Sequence, residues 1–223
     1  MKLVYPEMQL SMELIAGTLN LLVIERMDVF ETSASALKNA AESKADDIML
    51  YNDESVQNFS KVADVIFTPF ELTYEKREIQ KKLFAVLQDV SESQDIISEF
   101  AEINGQMLEL LEKLNFESEY DISFTDDFDF GSLMKNYSVH MKEPEGRFVE
   151  RTIEYMVNVK RLLAKDVFIF VNCDAYIPVE DYAYLEECAK QYELKVLFVN
   201  NRQISLPEKS NECIIDMDLC EIH

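Results

Sequence analysis

With 223 residues and 48% hydrophobic side chains, the chain is long enough to bury a core and too apolar to be disordered. Its 21 Lys plus Arg against 43 Asp plus Glu give a formal net charge of −22, which excludes general affinity for nucleic acid or anionic membrane and leaves only local patches to bind polyanions. Cys173, Cys188, Cys213 and Cys220 form no CxxC pair and the only histidines are His140 and His223, so structural zinc is not expected and free thiols in a reducing cytosol are.

In chain order, short runs rich in Val, Ile and Leu predict strands at residues 3–5, 19–25, 48–51 and 62–67, with a helix over 29–40. From Tyr74 to about Asn115 the pattern turns helical: Ile79, Leu83, Val86, Val90, Ile97, Phe100, Met107, Leu111 and Leu114 fall mostly on steps of four and three, as in a coiled-coil seam. Bends are expected at the polar run 91–95 and at Asn104-Gly105. A second helix over 147–165 aligns Val149, Ile153, Met156, Val159 and Leu163 on one face.

Residues 167–171 and 196–199 then read as strands buried on both faces. Between them Pro178 suits a first helical position, and Tyr182, Leu185 and Ala189 recur at helical spacing. Strand, helix, strand in that span is a βαβ crossover, so the core is expected to be α/β with a mostly parallel sheet. A last strand is expected at 214–217. The chain leaves the α/β unit near Tyr74 and returns near Lys165, which divides it into a head of residues 1–73 and 165–223 and a helical leg of 74–164. No apolar run approaches the roughly eighteen residues that cross a bilayer, and "KLVY" after Met1 reads as a strand, so no membrane association and a cytoplasmic location are expected.

A βαβ unit of this kind commonly carries a phosphate cradle, which needs clustered glycines and a lysine. Gly17, Gly105, Gly131 and Gly146 are the only glycines and no two are near each other. Asp174, just past a strand, could pass for a magnesium-binding carboxylate, but Asn172 and Asp174 equally serve to cap and turn the connection. No nucleotide is expected, and no nucleophile–base pair is visible, so the chain reads as non-catalytic.

Charge is uneven along the leg. Residues 91–145 hold 14 Asp plus Glu against three Lys, a balance of −11. Residues 147–165 hold five basic residues against Glu150 and Glu154, a balance of +3. Arg147, Arg151, Lys160 and Arg161 are therefore the first candidates for a DNA-binding surface, with Lys76, Lys81 and Lys82 at the leg's other root; the alternative for each group is a solvated helix face. In "ESEYDISFTDDFDFGS", Asp121, Asp126, Asp127 and Asp129 crowd a non-helical stretch, where carboxylates either stay solvated or bind a cation; oxygen-only ligands suit calcium over zinc.

Four stretches, "GTLNLLVIERMDVF", "FTPFELTYEKREIQKKLFAVL", "RTIEYMVNVKRLLAKDVFIFVNCDAYI" and "LKVLFVNNR", in this order and spacing, resemble the Csn2 family of type II-A CRISPR adaptation proteins. The resemblance implies a head like a P-loop ATPase that has lost its nucleotide site, with a helical leg inserted. It also implies a homotetrameric ring, calcium near the head–leg hinge, and a basic channel that threads onto ends of linear double-stranded DNA. Its partners would be the CRISPR integrase complex and the effector nuclease, in spacer acquisition. Asp121, Asp126 and Asp127 stand where the family keeps calcium-binding carboxylates, whereas Ser123 and Ser132 stand where further Glu ligands would be expected. Two other classes compete with this reading: an acidic interaction module or DNA mimic that occupies a basic partner surface, and a degenerate nucleotidase using Asp174.

Overall fold

The computed structural model describes residues 1–53, 55–126 and 128–222. The chain forms two compact units, Met1–Thr73 with Glu143–His223 and Tyr74–Lys142. The first, the head, opens with β1 (Lys2–Tyr5), β2 (Leu10–Glu13) and β3 (Leu19–Ile24), followed by α1 (Met27–Ala41). Next come β4 (Met49–Asn52), β5 (Ser55–Gln57), α2 (Phe59–Val62) and β6 (Ala63–Ile66). The second unit, the arm, holds α3 (Arg77–Ser91), α4 (Gln94–Glu117) and α5 (Phe130–Asn136). The head resumes with α6 (Phe148–Leu163), β7 (Val167–Val171), α7 (Tyr182–Gln191), β8 (Lys195–Asn200), β9 (Asn211–Ile215) and β10 (Glu221–Ile222).

The head contains a six-stranded sheet in the order β10-β9-β3-β8-β7-β6, parallel throughout except for β10. Every residue of β3, β6 and β7 is buried, as parallel strands covered on both faces require. Val167, Ile169 and Val171 enter one core with Leu22 and Ile24, with Phe30 and Leu37 of α1, and with Leu3 and Leu50 of a smaller antiparallel sheet ordered β2-β1-β4-β5. On the opposite face, Phe170 stacks on Phe198 at 5.5 Å and Tyr182 of α7 stands edge-on to Phe198 at 5.5 Å. Burying each of these rings stabilises the head by about 2–3 kcal/mol.

Helix α6 belongs to the head, which corrects the expectation that residues 143–164 form part of the leg. The physical reason is burial on two faces: Val149, Thr152, Ile153, Tyr155, Met156, Val157 and Val159 are all buried, and the Tyr155 hydroxyl donates to Asp64 Oδ2 of β6 at 2.6 Å. A solvated leg helix needs only one apolar stripe.

In the arm, the expected bend at 91–95 appears as the Glu92-Ser93 break between α3 and α4. The bend expected at Asn104-Gly105 is absent, and α4 runs through both residues. One interior glycine costs only about 1 kcal/mol, which good helix formers on either side outweigh. Phe100 of α4 stacks on Phe128 at 5.8 Å and meets Phe130 edge-on at 6.0 Å. Yet α4 has no buried residue among its 24, and Ile103, Met107, Leu110 and Leu114, spaced by four, three and four, form an exposed apolar seam.

Burial also sorts the thiols. It pushes Cys173 and Cys213 up to about 12, while Cys220 is exposed. We expect a native thiol-reagent titration near pH 8 to modify one cysteine of the four quickly and the rest only on unfolding. Fast modification of three or four would contradict the packing described.

Candidate nucleic-acid interface

The cations singled out from the sequence have different local roles. Arg147 starts α6 and faces two carboxylates: its Nη1 donates to both oxygens of Asp181 at 3.1 Å, and its Nε donates to Glu150 Oε1 at 3.1 Å. These bonds, Glu150's first, raise its pKa above the ordinary arginine value. Asp181 is buried, so Arg147 anchors the start of α6 to the start of α7. Lys160 donates its Nζ to the carbonyls of Tyr192 at 2.7 Å and Glu193 at 3.1 Å, capping the end of α7 where orphan carbonyls collect.

Arg151 and Arg161 differ from these. The Arg151 guanidinium lies 6.0 Å from the centre of the Phe148 ring, and its Nε is buried with no hydrogen-bond partner among the described residues. Arg161, in the last turn of α6, is exposed and has no side-chain partner among the described residues. In the arm, Lys81 and Lys82 are exposed on α3, and Lys76 is half-buried at its N-cap. Arg161, Lys81 and Lys82 are thus the candidates with freely presented charge, which is what contact with phosphate requires.

The described carboxylates of the acidic segment have separate local roles. Asp126 accepts from Asn104 Nδ2 at 2.7 Å. Asp129 caps α5, accepting from the Ser132 N–H at 2.5 Å, and that bond holds its carboxyl below the usual range. Asp121 is exposed, and Asp127 lies outside the described residues. Among the described residues, no three His, Cys, Asp or Glu come together as a metal-binding group, so a calcium site on these carboxylates would need Asp127. The cap made by Asp129 has a sequence signal, an Asp immediately before "FGSLMKN" and three residues before Ser132.

Strand β3 joins α1 through Glu25 and Arg26 alone, and neither is glycine. Two side-chain-bearing residues cannot wrap backbone N–H groups around a phosphate. Arg26 is also committed, with Nε and Nη2 each 2.8 Å from a carboxylate oxygen of Asp28. Asp174, the candidate magnesium carboxylate, pairs with Arg202 at 2.9 Å. No helix is long and apolar enough to cross a membrane among the described residues.

A family model described as "CRISPR-associated protein (Cas_Csn2)" matches residues 41–219. Among solved structures, the crystal structure of Stu0660 of Streptococcus thermophilus aligns with a TM-score of 0.59 at 15% identity, covering 97% of this chain and 75% of that one, a likeness of fold. No curated protein matches the chain.

Proposed function

The chain belongs to the Cas_Csn2 family of CRISPR-associated proteins, and from that premise we propose that it is a non-catalytic spacer-acquisition protein that binds ends of linear double-stranded DNA. In this reading four copies form a ring whose basic channel takes the duplex. A closed ring admits DNA only at an end, and lysine and arginine contacts to phosphate carry no base preference. A net charge of −22 does not oppose this, because attraction to phosphate acts locally, within about 8 Å at physiological salt. The observation that carries the reading is the freely presented charge of Arg161, Lys81 and Lys82 in an otherwise acidic chain. The partners proposed are the CRISPR integrase complex and the effector nuclease.

The test is a mobility shift with linear and covalently closed circular duplex of one sequence, with calcium and with chelator, at about 150 mM salt, where nonspecific contacts are weakened. A shift of the linear form alone is expected. Equal shifts of both forms would remove the threading ring, and no shift of either would favour the acidic module that occupies a basic partner. That rival gains some support from Arg147 and Lys160, whose side chains are spent on partners within the head.

Calcium would support the assembly, as the family resemblance implies. Titration calorimetry is expected to show calcium uptake by the protein and none after Asp121→Asn, Asp126→Asn and Asp127→Asn are combined. Unchanged uptake by that variant would move the site elsewhere.

A further inference from the structure

We propose that the carboxyl edge of the head sheet is a docking surface for a basic protein segment carrying apolar anchor residues. Strands β3, β6, β7, β8 and β9 run parallel, so the segments that follow them all leave at one edge. In doubly wound sheets this edge is where ligands bind. Here it carries Met27 after β3, Phe70 after β6, Tyr176 and Val179 after β7, and Met217 and Leu219 after β9, all exposed, Phe70 to 87%. Five strands at about 4.8 Å spacing make a row of about 19 Å, which a helix of about thirteen residues would span. Apolar residues gathered along one edge mark an interaction surface more often than scattered ones do.

Charge selects the occupant. The segments 25–28, 67–73, 172–181, 201–204 and 216–220 hold eight Asp or Glu against Arg26 and Arg202, and with Arg147 on the buried Asp181 the balance is −5. Arg26 and Arg202 already pair with carboxylates of the same edge, Asp28 and Asp174. Phosphate is therefore repelled, and DNA does not fit. A second copy meeting edge to edge would set like charge against like, because a two-fold contact is made by the same patch on both sides. A basic segment finds complementary charge after β3, β6, β7 and β9, on both sides of the segment after β8, which carries no acid. At its β3–β9 end the edge opens into a cleft of about 520 Å³, lined by Met8, Val29, Ile215 and Leu219 with the carboxylates of Glu7 and Asp28 beside them. That cleft suits one apolar anchor with a cationic neighbour.

The inference rests on the proposed function only for its probes, the purified integrase and effector nuclease, both proteins that must handle nucleic acid. Binding of each to the immobilised full chain is measured by interferometry for the wild type, for Phe70→Ser with Val179→Ser, and for Glu180→Lys with Asp218→Lys. All four positions are exposed, so folding should be untouched, and a thermal melt checks it. At least one probe should bind the wild type, the apolar variant should lose tenfold or more in affinity, and the charge variant should lose mainly association rate, more at low salt. Linear-DNA shift and oligomer mass should stay as in the wild type. Unchanged binding by both variants, no binding of either probe by the wild type, or a fall in oligomer mass showing that a second copy covers the edge would each overturn the proposal. Failure of the wild type to shift linear DNA would sink the proposed function instead and leave this readout standing.

Discussion

Replacing Arg161, Lys81 and Lys82 together by Glu is expected to abolish the shift of linear duplex at about 150 mM salt, a loss on the order of 10³ or more in affinity. Each phosphate contact contributes close to one unit to the slope of log affinity against log salt, and a ring multiplies every contact by its copies. Reversal removes the attraction and adds repulsion, while these exposed side chains carry no packing, so the melting temperature should barely move. Lys160→Met supplies the contrast. It removes the cation over the Tyr192 and Glu193 carbonyls and should lower the melting temperature, with DNA affinity per folded molecule nearly unchanged. If the triple variant shifts DNA normally and Lys160→Met does not, the assignment of roles is reversed.

The second large effect is expected on assembly. Met107→Glu with Leu114→Glu should reduce the mass measured by light scattering from that of the proposed tetramer to smaller species. The seam of α4 is exposed within one chain, and burying a side chain of Leu or Met size contributes about 1.5–3 kcal/mol, so four seam positions per copy can hold an assembly together. Glu at two of them must either be desolvated without a partner or keep the surfaces apart. If the proposed ring threads DNA, end binding should fall with the mass, since an open subunit cannot encircle a duplex. An unchanged mass would mean that the seam faces solvent in the assembly too.

The strands of the parallel sheet were readable because burial on both faces writes itself as continuous apolar runs: 167–171 was anticipated residue for residue, and β3, β6 and β8 to within one or two. Strand β2 and helix α5 escaped, since "LSME" gives only two turns of alternation and "FGSLMKN" less than two full helical turns. Helix α6 is legible as a helix, but its place in the head is not. Its amphipathic stripe says which face is buried first, not that Tyr155 will reach a carboxylate on β6. The same limit governs the cations. Arg147 and Arg161 look alike in a local count of charge, and only folding brings Asp181, thirty-four residues on, against one of them. Charge patterns are local, whereas the partners that spend a charge are brought by topology. The acidic run was legible as a cluster, but the separate uses of Asp126 and Asp129 depend on Asn104 and on the start of α5.

The insertion point of the arm has a consequence for how the chain can be altered. The arm departs after β6 and returns ahead of α6 and β7, and β6 and β7 are direct neighbours in the sheet. Thr73 and Glu143, the head residues on either side of it, are joined by a hydrogen bond of 2.8 Å from the Thr73 hydroxyl to Glu143 Oε1. The head is therefore closed at its own seam, and a short Gly/Ser linker in place of residues 74–142 should leave a monomeric α/β domain that melts cooperatively. In genetic terms the arm is a cassette: its length and surface can change by insertion or exchange at one site without renegotiating the core.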